Sequence, residues 1–119
     1  MVLVDTSIWI SHLTKGNARL KTLLEKAEVI SHPFIIGEMA CGNINNRTEI
    51  LSLLQALPMA GVAKHEEVLY FIESHQLMGR ALGLIDVHLL ASALLTGVLL
   101  WTADKRLRAA SAELNIAYP

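Results

Sequence analysis

The strongest constraint on this chain is the way short apolar runs alternate with longer stretches of helical period. Val2-Leu3-Val4, Val29-Ile30, Met59 to Val62, Val98 to Trp101 and Ile116 to Tyr118 read as strands, continuous in apolar character and bounded by polar or helix-breaking residues. Helical spacing fills the intervals, over Ile8 to Leu13, Ala18 to Lys26, Phe34 to Cys41, Arg47 to Leu57, Glu66 to Met78, Ile85 to Leu95 and Lys105 to Leu114. The punctuation agrees. Asp5-Thr6-Ser7 supplies capping side chains, Pro33 after His32 suits a helix start, and Gly42 suits a stop. Buried strands separated by helices form a mainly parallel sheet covered on both faces, an α/β arrangement whose ligands gather at the carboxyl ends of the strands. Asp5 and Asp104 each lie just past such an end, which lets them face one another across one crevice.

A chain of 119 residues fits one domain, expected over 1–119, with no internal repeat or long linker. Its apolar fraction of 53% exceeds what such a core needs, so surface is left for a partner or a second copy. The single cysteine, Cys41, has no partner within the chain, and the first residues lack the basic and long apolar segments of a secretory signal. A cytoplasmic location is expected. The apolar run Leu84 to Trp101 is interrupted by Asp86, His88 and Gly97, which favours a buried helix and strand over a membrane span. With a net charge of −1, any case for nucleic-acid binding has to be local.

Of the 11 acidic residues the only aspartates are Asp5, Asp86 and Asp104, and each follows an apolar run. Each is also open to a plainer reading as the cap of a helix. Glu38 has no such excuse. It sits inside the helix Phe34 to Cys41, on a face shared with Phe34, Ile35 and Cys41, and no basic residue is spaced to pair with it. Burying an unpartnered carboxylate costs several kcal/mol, so Glu38 must be paired, protonated or bound to a cation. Asp86 meets the same problem, with Leu89, Leu90 and Ala93 on its side of a helix. Two like charges about 4 Å apart repel by about 4 kcal/mol at an effective dielectric near 20. A cluster of all four therefore requires a divalent cation or bound protons. An oxygen-only donor set favours Mg²⁺ or Mn²⁺ over zinc, and such a site suits phosphodiester hydrolysis. Asp5 and Asp86 are expected as direct ligands. Glu38 and Asp104 are then left to hold a second ion or ordered waters, one of them taking a proton from the nucleophile. Neutralising Asp5 or Asp86 is expected to leave the fold intact or slightly more stable.

At these residues the sequence resembles the PIN-domain ribonucleases, and within them the VapC toxins. The likeness spans the chain and rests on Val4-Asp5-Thr6-Ser7, Ile36-Gly37-Glu38-Met39, Asp86-Val87-His88-Leu89-Leu90-Ala91 and Thr102-Ala103-Asp104-Lys105-Arg106-Leu107. It implies a three-layer, doubly wound α/β/α sandwich and an endoribonuclease that uses Mg²⁺ or Mn²⁺ to cut RNA. It also implies a homodimer, inhibition by a small cognate antitoxin, and polar support of the site from Thr102, Thr6 and Ser7.

Lys105 and Arg106 fall in the first turn of a helix, where positive charge opposes the macrodipole, so they are candidates for phosphate contact, with Arg80 and Lys64 as extensions. His12, His32, His65, His75 and His88 show no metal-ligand spacing and read as structural, His88 pointing away from Asp86. Trp9, Trp101, Phe34 and Met39 read as core or interface, and Cys41 as a small buried residue. The competing function is a non-catalytic metal-binding regulatory or protein-interaction domain. A receiver-like module, however, wants adjacent acids after the first strand, and an aspartyl phosphatase wants an acid where Ser7 stands. No Gly-rich phosphate loop is present for a nucleotide-binding enzyme.

Overall fold

The computed structural model describes residues 1–119. In chain order the elements are β1 (Val2–Val4), α1 (Thr6–Lys15), α2 (Ala18–Glu25), β2 (Val29–Ile30), α3 (Pro33–Cys41), α4 (Arg47–Ala56), α5 (His65–His75), α6 (Leu84–Thr96), β3 (Leu99–Trp101) and α7 (Lys105–Glu113). The sheet runs β2-β1-β3, and both pairings are parallel, with Val2 opposite Val29 on one side and Leu99 on the other. Parallel bridges from Ser31 to Met59 and from Leu100 to Ala117 extend it at each edge. Those edges are where full strands were expected over Met59 to Val62 and Ile116 to Tyr118. Each survives as a single bridge. The fold is an α/β sandwich, with β1 central.

The chain moves outward from β1 to β2 and Met59, then returns to the opposite side for β3 and Ala117. Parallel crossovers are right-handed, so this reversal winds the two halves onto opposite faces of the sheet. Helix packing agrees: α1 lies on α3 and α3 on α4, whereas α5 lies on α6. Leu3, Val4, Leu89, Leu90 and Leu100 are buried at the centre. Burying side chains of this size contributes about 1.5–3 kcal/mol each. Gly97 closes α6 in the left-handed region at φ 73° and turns the chain into β3. A side chain there would be strained.

Candidate active site

The N-termini of α1, α6 and α7 and the ends of β1 and β3 meet at one edge of the sandwich, and the four sequence-predicted acids lie there. Asp5 follows β1 and caps α1, its Oδ1 accepting from the Thr6 backbone N–H at 2.8 Å. Its Oδ2 accepts from the Thr102 hydroxyl at 2.7 Å and from the Ser7 hydroxyl at 3.0 Å. Asp5 is 8% exposed, so this web fixes its carboxylate almost completely. Thr102 follows β3 and its Oγ1 also accepts from the Asp104 N–H at 3.1 Å, while Ser7 Oγ accepts from the Ala103 N–H at 3.1 Å. The ends of β1 and β3 are thereby stitched together through Thr102 and Ser7.

Asp104 caps α7, its Oδ1 accepting from the N–H groups of Arg106 and Leu107. For Asp5 and Asp104 the capping reading is therefore correct, and the question is what else they do. Asp86 departs from that reading. The cap of α6 is Gly83, and Asp86 stands in the third helical position, its Oδ2 reaching back to the Gly83 N–H at 3.0 Å. Glu38 is joined to the group through Thr6, whose hydroxyl donates to Glu38 Oε1 at 2.8 Å.

The inward face of α3 differs from expectation. Ile35 and Met39 are the buried stripe, Glu38 is half-buried at its shoulder, and Cys41 is exposed. Phe34 to Cys41 is apolar on nearly every side, so the helical wheel alone did not single out the face that packs. Trp9 and Met39 join the core as expected, while Trp101 is half-buried against Tyr118.

The electrostatics bind Asp86 to the other aspartates. Burial pushes its carboxyl above the usual carboxylate range; the Gly83 N–H pulls it back, and the negative charges of Asp5 and Asp104 push it up again. No cation balances them. The sole ion pair in the molecule joins Arg80 to Glu113 at 2.6 Å, away from the aspartates. No three metal-ligating side chains close into a ready coordination shell. Mg²⁺ sites of the kind built on one or two carboxylates, with water completing the octahedron, do not need such a shell. The N-termini of α1, α6 and α7 also favour negative groups here.

The PIN domain family model matches residues 2–113. The chain belongs to the PIN-domain family. Among curated proteins, this PIN domain is 48% identical over 98% of its length to Ribonuclease VapC32 in two strains of Mycobacterium tuberculosis, covering 95% of that protein. Among solved structures it resembles PAE2754 from Pyrobaculum aerophilum, with a TM-score of 0.66 over 98% of this chain and 87% of that one, at 17% identity. The second likeness speaks to the fold of the PIN domain alone.

Sequence reasoning overlooked Gly83, which no residue type marks, and underrated Ser7, whose hydroxyl serves both strand ends. Removing that hydroxyl has a defined consequence. Ser7→Ala is expected to cost about 1 kcal/mol of stability, the usual net worth of a hydrogen bond. Urea unfolding measures it.

Proposed function

We propose that this PIN domain is a Mg²⁺- or Mn²⁺-dependent endoribonuclease, the toxin of a toxin–antitoxin pair, in which Asp5, Glu38, Asp86 and Asp104 form the catalytic and metal-binding site. The observation that carries this reading is that Asp86 is held among like charges with no cation beside it. The name of the mycobacterial relatives, ribonuclease, supports RNA as the substrate. A bound divalent ion would supply a water of lowered pKa and neutralise charge growing on the phosphate.

The chain's own residues do the rest. Ser7, Thr102 and the Thr6 N–H fix the Asp5 carboxylate as a rigid ligand. Asp86 is the second direct ligand, and its raised proton affinity is what an ion would displace. Glu38 keeps Oε1 on the Thr6 hydroxyl and uses Oε2 to take the proton from the attacking water. Asp104 orders water at the start of α7. Exposed Lys105 and Arg106 touch the RNA backbone beside it.

Protein partners fit the surface. Trp9, Leu13, Leu24, Ile50, Leu53 and Leu57 line a groove of about 290 Å³ between α1, α2 and α4, and a second of about 510 Å³ lies between α5 and α6. A cognate antitoxin and a second copy of the chain, making a homodimer, are the occupants this reading assigns. No helix is long and apolar enough to cross a membrane, and a cytoplasmic location suits an RNA-cutting toxin.

Purified protein is expected to cleave RNA internally with Mg²⁺ or Mn²⁺ and to stop on EDTA addition. Its expression is expected to slow bacterial growth until the antitoxin is supplied. RNA left intact by folded, metal-loaded protein would favour the non-catalytic regulatory alternative. Lys105→Ala with Arg106→Ala is expected to weaken RNA binding similarly for every sequence and to reduce the salt slope by about 1 for each phosphate that the protein no longer neutralises. An unchanged slope in filter binding at several salt concentrations removes those two residues from the RNA path.

A further inference from the structure

A buried polar link lies behind the acids, and none of the chemistry above uses it. His32 and Ser92 are both fully buried, 60 positions apart in sequence, with His32 Nε2 2.9 Å from Ser92 Oγ. His32 Nδ1 accepts from the Phe34 N–H at 3.0 Å and so caps α3. A neutral ring that accepts at Nδ1 carries its proton on Nε2, which therefore donates to Ser92. Phe34 fills the space between, its ring 5.1 Å from that of His32 and 4.7 Å edge-on to buried His88 of α6.

We propose that His32 is a positioning residue: its hydrogen bond to Ser92 ties the start of α3 to the middle of α6 and thereby sets the spacing between Glu38 and Asp86. The inference rests on the reading of the four acids as a metal site. α3 and α6 lie in opposite halves of the winding, and no other hydrogen bond or ion pair joins them. Each helix carries one acid, and neither acid is tied to the other helix. Glu38 holds Thr6 of α1, and Asp86 holds only its own Gly83. Phe34 lies one turn before Glu38 on the same face, so the wedge beside His88 and the carboxylate move together. An apolar seam between two helices tolerates sliding, whereas a buried hydrogen bond of fixed length and direction admits one register.

The test measures Mn²⁺ affinity by the electron paramagnetic resonance of free Mn²⁺, without RNA, at a temperature where circular dichroism shows each variant folded. Ser92→Ala removes the link and keeps the cap, and His32→Asn keeps an acceptor for the Phe34 N–H while losing the reach to Ser92. Either is expected to weaken Mn²⁺ binding about tenfold, the scale of a missing ligand-orienting partner. Val68→Ala, in the fully buried part of α5, controls for general destabilisation and is expected to bind as the unaltered protein does. Asp5→Asn, which removes a ligand, reports on the site itself. Wild-type affinity in both Ser92→Ala and His32→Asn, with binding abolished in Asp5→Asn, overturns the positioning role and leaves the site standing. Equal weakening in Val68→Ala also overturns it. Binding that Asp5→Asn does not disturb removes the site reading and this inference with it.

Discussion

Asp86→Asn is expected to abolish metal-dependent RNA cleavage, by about 10²–10³-fold or more, while making the metal-free protein more stable. The asparagine oxygen still accepts from the Gly83 N–H, so the start of α6 keeps its cap. What disappears is a charge that burial, Asp5 and Asp104 all oppose. The sign follows from linkage. A carboxyl whose affinity for protons is raised by folding holds its proton longer in the folded state, so its charge subtracts stability as pH rises above its ordinary value of 3.8. Asn carries no such penalty, and the gain over wild type is expected to grow from about pH 4 upward and vanish when Mn²⁺ is added. Asp5→Asn is expected to behave differently. Its carboxylate accepts three hydrogen bonds, two from hydroxyls, and an amide NH₂ facing Thr102 and Ser7 has to reverse them. Activity is expected to be lost in both variants, but the stability of Asp5→Asn is expected to fall by about 1–2 kcal/mol. Sequence reasoning treated the two alike because the hydroxyls around Asp5 are 2 and 97 positions away. Paired urea melts in EDTA, with cleavage assays in Mg²⁺, test both; a stabilised Asp5→Asn or a destabilised Asp86→Asn contradicts the assigned environments.

The second large effect is acid sensitivity. Burial lowers the His32 imidazole from 6.5 to about 4, and the neighbouring His88 pushes it the same way. The unfolded chain therefore takes up a proton near pH 6.5 that the folded chain refuses until about pH 4. Stability is complete above that window and falls as pH drops through it, by about 3 kcal/mol for this group at about 1.36 kcal/mol per unit. His88, also lowered by burial, adds to the loss, and Asp86 partly opposes it. Protonation also converts Nδ1 from acceptor to donor and so removes the cap of α3. Metal-free unfolding free energies at about pH 7 and about pH 4.5 are expected to differ by most of that amount in wild type and by much less in His32→Asn. A flat wild-type profile, or an equal slope in the variant, contradicts the burial of a neutral imidazole.

Much of the molecule was legible in its residues because the fold and the chemistry share signals. An aspartate directly after Val2-Leu3-Val4, and another soon after Leu99-Leu100-Trp101, locates two strand ends as well as two acids. The central strands, the helix order and the family likeness followed from the same runs. The errors came where local pattern has no unique answer. The apolar circumference of α3 hid that Ile35 and Met39 face inward and Cys41 outward. Leu84-Ile85 reads equally well before a helix as within its first turn, which is how Asp86 passed for a cap. The two expected edge strands are reduced to single bridges at Met59 and Ala117. His32 was classed as structural by its spacing, yet its partner on α6 belongs to a remote segment, a pairing that no periodicity encodes.

The convergence of the carboxylates on one divalent ion is tested most directly by anomalous scattering from crystals grown with Mn²⁺. The expected result is a peak at the carboxyl end of β1, bonded to Asp5 and Asp86 and linked directly or through one water to Glu38 and Asp104. A peak elsewhere, or none there at millimolar Mn²⁺, would contradict that convergence.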